Sequence, residues 1–308
     1  MRIASSIVEL SEIRDELAMG QPPPTVALVT TMGALHAGHR SLFRIARSVA
    51  DVVVVSIFVN PLQFGPDEDY AHYPRALDDD LLSCQSEGVD IVFAPSVSDL
   101  YPAGRQVTVS AGQLGTVLEG RSRPGHFDGV LTIVAKLFNI VRPDKAIFGQ
   151  KDAQQVAIVR RMATDLNYDI DIVAAPVVRE EDGLALSSRN RYLLPHERTT
   201  ALALSAALRA AARQQEAAHA LAAARSVVAT AETDGSLELD YLTLVNPLTF
   251  AELPDDHQGQ ALLLVAATVA NTRLIDSAEL TFGAGSATEP AEVDFALDAS
   301  VTAGQLSR

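Results

Sequence analysis

The chain holds a single cysteine, Cys84, and no tryptophan in 308 residues. One thiol excludes any disulfide within the chain and predicts a reducing, cytoplasmic setting, and Cys84 itself, inside a helical pattern, reads as packing. Basic residues are also scarce, 24 against 39 acidic ones, for a formal net charge of −15. A field of that sign repels nucleic acid and anionic membrane surfaces, so a polyanionic ligand needs a locally basic pocket. No run of about 18 uncharged apolar residues occurs, and the opening MRIASSIVELSEIRDEL has no apolar export core, which predicts neither a membrane span nor an export signal. No internal repeat of fixed period is found.

What is plentiful is apolar, 48% of residues. Short Val/Ile-rich runs at 25–30, 51–60, 88–95, 144–149 and 169–178 alternate with helical patterns. Near-continuous apolar runs belong to strands covered on both faces, so the pattern predicts an α/β fold, a Rossmann-like doubly wound parallel sheet over residues 1–178. After 179 come an Ala-rich helix near 197–231 and strand-like stretches at 237–247 and 260–276, a smaller α+β domain over 179–283. Residues 284–308 are acidic and poor in large apolar side chains, and read as a disordered tail.

In an open parallel sheet, ligands bind outside the carboxyl ends of the strands. The unusual polar residues follow strands in this way. In TTMGALHAGH a helix opens after the first strand, where free amides and the positive dipole end favour phosphate, Gly33 and Gly38 permit close approach, and His36 and His39 share a face as donors. The same pair also reads as two satisfied structural histidines; as a metal pair it lacks the carboxylates or thiols that complete a zinc set. Lys151 follows the run ending at Gly149 and either reaches phosphates or is a plain solvated lysine, with Asp152 as cap of the next helix. LALSSRNRYL adds Ser187, Ser188 and Arg189 as further phosphate ligands or a plain polar loop. Gln63 and Gln155 suit a hydroxy acid or, each taken alone, are ordinary exposed glutamines, and Asp79 in DDD can touch Mg²⁺ or simply start a helix. Arg121, Arg123 and His126 lie in a Gly/Pro-rich stretch before a helix, either a solvated loop or an active-site cover, and His72 and Tyr73 read as surface or packing residues.

Taken in order, TMGALHAGH, SIFVNPLQF, YPRALDDDL, HFDGV, FGQKDAQQ and LALSSRNRYL resemble the pantothenate synthetase family over most of residues 25–276. The resemblance implies a nucleotidylyl-transferring enzyme that condenses pantoate with β-alanine at the expense of ATP, through a pantoyl adenylate, as a cytoplasmic homodimer. It implies that ATP lies on Met32, Gly33, Ala34, Leu35, His36, Ala37, Gly38 and His39, on Gly149, Gln150, Lys151 and Asp152, on the backbone of Val178, and on Leu186, Ser187, Ser188 and Arg189. His39 takes the role of proton donor, Gln63 contacts pantoate and β-alanine, Gln155 contacts pantoate, and Asp79 matches a position linked to Mg²⁺. On this reading His36, His39 and Lys151 meet the charge developing on the α- and β-phosphates, while Ser187, Ser188 and Arg189 hold the β- and γ-phosphates. The chain departs from the family pattern at Gln150 (usually Glu), Ala153 (usually aromatic) and Leu186 (usually Met). Two rival readings remain at this level, another nucleotidylyltransferase and a nucleotide-binding regulator without catalysis, the latter marked by Gln150 and Ala153.

Overall fold

A computed structural model describes residues 1–66, 68–102, 106–233 and 235–283. The described residues divide into two compact units, one covering Met1–Val177 with Leu248–Phe250, the other Val178–Pro247 and residues 251–283. The tail expected at 284–308 lies outside the described residues.

The first unit runs β1 (Arg2–Ala4), α1 (Ile7–Ala18), β2 (Val26–Thr31), α2 (Ala37–Val49), β3 (Val52–Ile57), α3 (Leu77–Ser86), β4 (Ile91–Phe93), α4 (Val97–Leu100), α5 (Glu119–Ser122), α6 (His126–Val141), β5 (Lys145–Gly149), α7 (Ala153–Asp165) and β6 (Asp171–Ala175). The strands form one parallel sheet in the order β1-β4-β3-β2-β5-β6. From β2 the sheet grows through β3 to β4 on one side and through β5 to β6 on the other, so the direction of winding reverses between β2 and β5. That reversal opens the ligand crevice of such a sheet at the carboxyl ends of those two strands.

β3 shows why its Val run is a strand: Val52 and Val54 pack into the core with α1, α6 and α7, while Val53 and Val55 pack into the opposite core with Phe43 and Ala46 of α2 and Cys84 of α3. The period of two places alternate side chains on opposite, equally buried faces. Cys84 is fully buried, and burial pushes its thiol up to about 12, as expected for a packing residue. His72 is exposed and Tyr73 buried.

No element is expected before residue 25, yet β1 and α1 are there. β1 is three residues long and sits at the sheet edge beside β4, too short to show a period. α1 starts at a Ser6 hydroxyl accepting from Glu9 N–H.

The second unit holds α8 (Pro195–Ala212), α9 (Ala217–Glu232), β7 (Leu237–Val245), β8 (Gly259–Val269) and β9 (Thr272–Phe282), the three strands forming an antiparallel sheet in that order. Two corrections follow. The single helix expected near 197–231 is a pair, because the polar stretch Arg213–Glu216 breaks the pattern and Glu216 is extended (φ −122°, ψ 140°). The stretch at 260–276 is most of a hairpin: Val269 pairs with Thr272 around Ala270 at φ 50°, a turn without the glycine that would announce it. Alanines at 201, 207, 211, 217, 220 and 224 are buried in this unit's core, where small side chains let helices approach closely. Among the described residues no helix is long and apolar enough to cross a membrane.

Candidate active site

The turn from β2 into α2 carries the first group of side chains. Gly33 at φ 83° and Ala34 at φ 52° bend the chain sharply, and the carboxylate of Asp80 on α3 accepts from Ala34 N–H (3.0 Å) and Leu35 N–H (2.7 Å). Burial pushes the Asp80 carboxyl up, against the effect of these two amides, with Asp79 raising it further. Asp79, the residue singled out from the sequence, is exposed in the first turn of α3; its neighbour Asp80 is the one that shapes the turn.

The amides of this turn are not the free donors expected. Gly33 N–H goes to Thr31 Oγ1 (3.3 Å), Ala34 and Leu35 N–H go to Asp80, His36 N–H goes to His39 Nδ1 (3.3 Å), and Gly38 N–H goes to His36 Nδ1 (3.1 Å). The two histidines therefore cap α2 reciprocally. Capping settles their chemistry. A ring nitrogen that accepts an N–H carries no proton, so each neutral imidazole carries its proton on Nε2 and is a donor there. The rings lie 4.1 Å apart, and desolvation, then the neighbouring His36 and Lys151, lowers the His39 pKa to about 3. His39 is a neutral donor at physiological pH.

Lys151 arrives from β5, which pairs directly with β2. Gln150–Asp152 form one turn of 3₁₀ helix leading into α7. Asp152 occupies the N-cap position of α7, but its side chain makes no capping bond, contrary to expectation. Ala153 is buried at the start of α7, leading into Gln155, which is half-buried.

A second group follows β3. Asn60 is buried, and every hydrogen-bonding position of its amide is used: Oδ1 accepts from Leu62 N–H (3.2 Å) and Tyr101 Oη–H (3.0 Å), and Nδ2 donates to Gly129 O (3.1 Å) and Gln63 Oε1 (3.1 Å). Because Leu62 N–H only donates and Gly129 O only accepts, the orientation of Asn60 is fixed, and with it that of Gln63, whose Nε2 lies 3.0 Å from Met32 Sδ. Gly129 has no alternative side chain here, since a Cβ would stand 2.1 Å from Leu62 O.

The stretch expected as a loop before a helix contains the short helix α5 and the start of α6. Arg123 forms a two-pronged pair with Glu68 (2.6 and 2.8 Å) and reaches Gln63 O, which also accepts from His126 Nδ1 (2.8 Å). His126 Nε2 faces the Arg123 guanidinium at 3.1 Å, and burial, then that charge, lowers its pKa to about 4. Arg123 and His126 thus anchor the backbone of Gln63.

In the second unit, Val178 O accepts from Leu186 N–H (2.9 Å), and Arg179 bridges to Ala185 across a tight hairpin. Ser187, Ser188 and Arg189 follow directly, all half-buried, with Ser187 Oγ accepting from Arg189 N–H (3.3 Å) in a 3₁₀ turn over Ser188–Tyr192. Among the described residues no cluster of three or more His, Cys, Asp or Glu side chains is built to hold a metal ion. Asp80 and Tyr101 were beyond the sequence reading, Asp80 because a run of three aspartates hides which one points inward, whereas Asn60 was already placed there as a polar residue following a strand.

The profile of the pantoate-beta-alanine ligase family matches residues 2–279. The chain belongs to this family. As a pantoate–β-alanine ligase, it is an enzyme that joins pantoate to β-alanine. It is 58% identical to the pantothenate synthetase of Thermobifida fusca over 265 residues, 83% of this chain and 90% of that one. It is 53% identical to the pantothenate synthetase of Acidothermus cellulolyticus over 282 residues, 89% and 90% of the two chains. The crystal structure of the Thermus thermophilus pantothenate synthetase superposes with a TM-score of 0.83 at 44% identity, covering 90% of this ligase and 99% of that chain. The Francisella tularensis pantoate-beta-alanine ligase, complexed with beta-gamma ATP and beta-alanine, superposes with a TM-score of 0.74 at 34% identity, covering 90% and 97%.

Proposed function

We propose that this ligase uses ATP to convert pantoate into an enzyme-bound pantoyl adenylate and then passes the acyl group to β-alanine. The observation that carries the reading is the capped pair His36 and His39, with protons held on Nε2, next to Lys151 at the carboxyl ends of β2 and β5. The Francisella relative, with ATP-like and β-alanine ligands, supports the same substrates here.

In the first step a pantoate carboxylate oxygen attacks the α-phosphorus, the bond from that phosphorus to the bridging oxygen breaks, and pyrophosphate leaves with the electron pair. Such a transfer is governed by positioning and charge stabilisation. His36 and His39 donate to phosphate oxygens without needing to be protonated, and Lys151 supplies a full positive charge. The family resemblance assigns the β- and γ-phosphates to Ser187, Ser188 and Arg189, with Leu186 and the backbone of Val178, and assigns further ATP contacts to residues 32–39 and 149–152. Gln63 turns its amide N–H side to the oxygens of pantoate, with Gln155 as a second polar contact. In the second step the neutral β-alanine amine attacks the acyl carbon, the bond from that carbon to the AMP oxygen breaks, AMP leaves with the electron pair, and the amine releases one proton to water.

Mg²⁺ characteristically takes one or two carboxylates together with phosphate oxygens, and the exposed Asp79, whose neighbour Asp80 is taken up by the Ala34 and Leu35 amides, fits that use better than a protein-built cage. When bound it offsets phosphate charge. The homodimer rests on the family resemblance and is measured by light scattering. A cytoplasmic location agrees with a lone, buried thiol.

The test is pantoate-dependent exchange of labelled pyrophosphate into ATP with no amine present. Exchange with pantoate, and not with other carboxylic acids, supports the adenylate. Absence of exchange from protein that binds ATP sinks the adenylate.

A further inference from the structure

Asn190 directly follows Ser187, Ser188 and Arg189, yet its side chain turns inward and is only 8% exposed. Its Nδ2 donates to Glu180 Oε1 (2.7 Å) and to Ala185 O (3.0 Å). Its backbone N–H donates to Ser187 O (3.1 Å), and its own carbonyl accepts from Leu193 N–H (3.2 Å). One residue therefore ties the 3₁₀ turn to both arms of the preceding hairpin. Glu180 is held in turn by Arg198 of α8 through its other oxygen (2.6 Å), and Arg198 also pairs with Asp182 (2.7 Å). The hairpin has its own anchor, the Arg179–Asp276 ion pair to β9 (2.6 Å), with side chains 6% and 2% exposed.

We propose that Asn190 is a positioning residue that holds Ser187, Ser188 and Arg189 in their triphosphate-binding shape by pinning them, through Glu180, to the hairpin and α8. The inference rests on the reading of 187–189 as phosphate ligands. Three side chains on a 3₁₀ turn have no helix or sheet ladder to hold them, so their alignment comes from whatever fixes the turn from below. Here that is a buried amide using both of its N–H groups, one of them on a carboxylate, where a hydrogen bond is strongest.

The test reverses the polarity of the bond. In Asn190→Asp a carboxylate faces the Glu180 carboxylate and the Ala185 carbonyl, acceptor against acceptor. When Asn190→Asp is combined with Glu180→Gln, the amide N–H introduced at position 180 donates to the carboxylate introduced at position 190, while the new amide oxygen still accepts from Arg198. The readouts are the Kd of ATP with Mg²⁺ by calorimetry and the KM values for ATP and β-alanine, with thermal melting recorded for each variant. Arg189→Ala serves as the reference for losing a phosphate ligand.

The expected result is a Kd and KM for ATP raised about tenfold or more in Asn190→Asp, unchanged KM for β-alanine, and recovery of most of the ATP affinity in the double variant. If Arg189→Ala weakens ATP binding while folded Asn190→Asp binds normally, the proposal is overturned and the phosphate reading stands. If Arg189→Ala itself binds ATP normally, the reading of the loop fails and the proposal falls with it. If Asn190→Asp does not fold, the double variant decides: normal ATP binding upholds the proposal, and a folded double variant with ATP affinity as poor as that of Arg189→Ala overturns it.

Discussion

A Cβ placed on Gly33 would stand 2.8 Å from Asp80 Oδ2. The carboxylate that receives the Ala34 and Leu35 amides therefore occupies the space a side chain at 33 would need, and Gly33 is also at φ 83°, where L side chains are strained. Asp80→Ala leaves two amides of the turn without their acceptor and is expected to cost about 1–3 kcal/mol, seen as a lowered urea midpoint with unchanged slope. Asp79→Ala, on the exposed side, is expected to leave the midpoint within about 0.5 kcal/mol.

His39→Ala removes half of the reciprocal cap and, on the proposed mechanism, one donor to the developing phosphate charge. Pyrophosphate exchange is expected to fall about 10²–10³-fold, by analogy with loss of one oxyanion-hole donor. The capping loss itself costs only about 1 kcal/mol, so circular dichroism should still report a folded chain. Exchange at the normal rate would remove His39 from the chemistry.

Both His39 and His126 are held neutral, with pKa values of about 3 and about 4. In the unfolded chain each titrates near pH 6.5. As pH falls below that value the unfolded state binds protons that the folded state does not, so stability declines toward acid through these two residues and is unaffected by them above pH 7. Two-dimensional NMR of the imidazole Cε1–H groups should show both rings without a titration shift between pH 8 and 5. His126→Gln should flatten the fall in urea midpoint between pH 7 and 5.

The Arg179–Asp276 pair is buried on both sides. Asp276→Ala leaves a buried guanidinium without its carboxylate and should cost about 3–5 kcal/mol, whereas replacing both partners with apolar residues of similar volume should cost much less. Thermal melting of the two variants distinguishes the cases.

The parallel sheet was legible because both faces of Val52–Val55 are buried, which writes a continuous apolar run into the sequence. Lys151 and the two histidines were legible because they follow strands. What escaped depended on three-dimensional approach. The inward carboxylate among Asp78, Asp79 and Asp80 is chosen by the side of α3 that meets the Gly33 turn. The histidine caps take amides that a sequence leaves formally free, moving the donor role from backbone to imidazole. The hairpin at Ala270 hid because an alanine took a left-handed conformation that sequence reading assigns to glycine or asparagine.

Asn60 has a consequence for anyone designing an inhibitor. Its amide is locked by Leu62 N–H and Gly129 O, so Gln63 cannot flip to offer its oxygen without losing the Asn60 bond. A glutamine is ordinarily an ambidextrous contact, forgiving of whatever chemistry a medicinal chemist places against it; on the proposed substrate-binding role of Gln63, this one is a fixed-polarity contact. Carboxylate, sulfonyl and carbonyl fragments should gain affinity against it, while amines and amidines at the same spot should be rejected, and a fragment screen scored by acceptor content would reveal the bias directly.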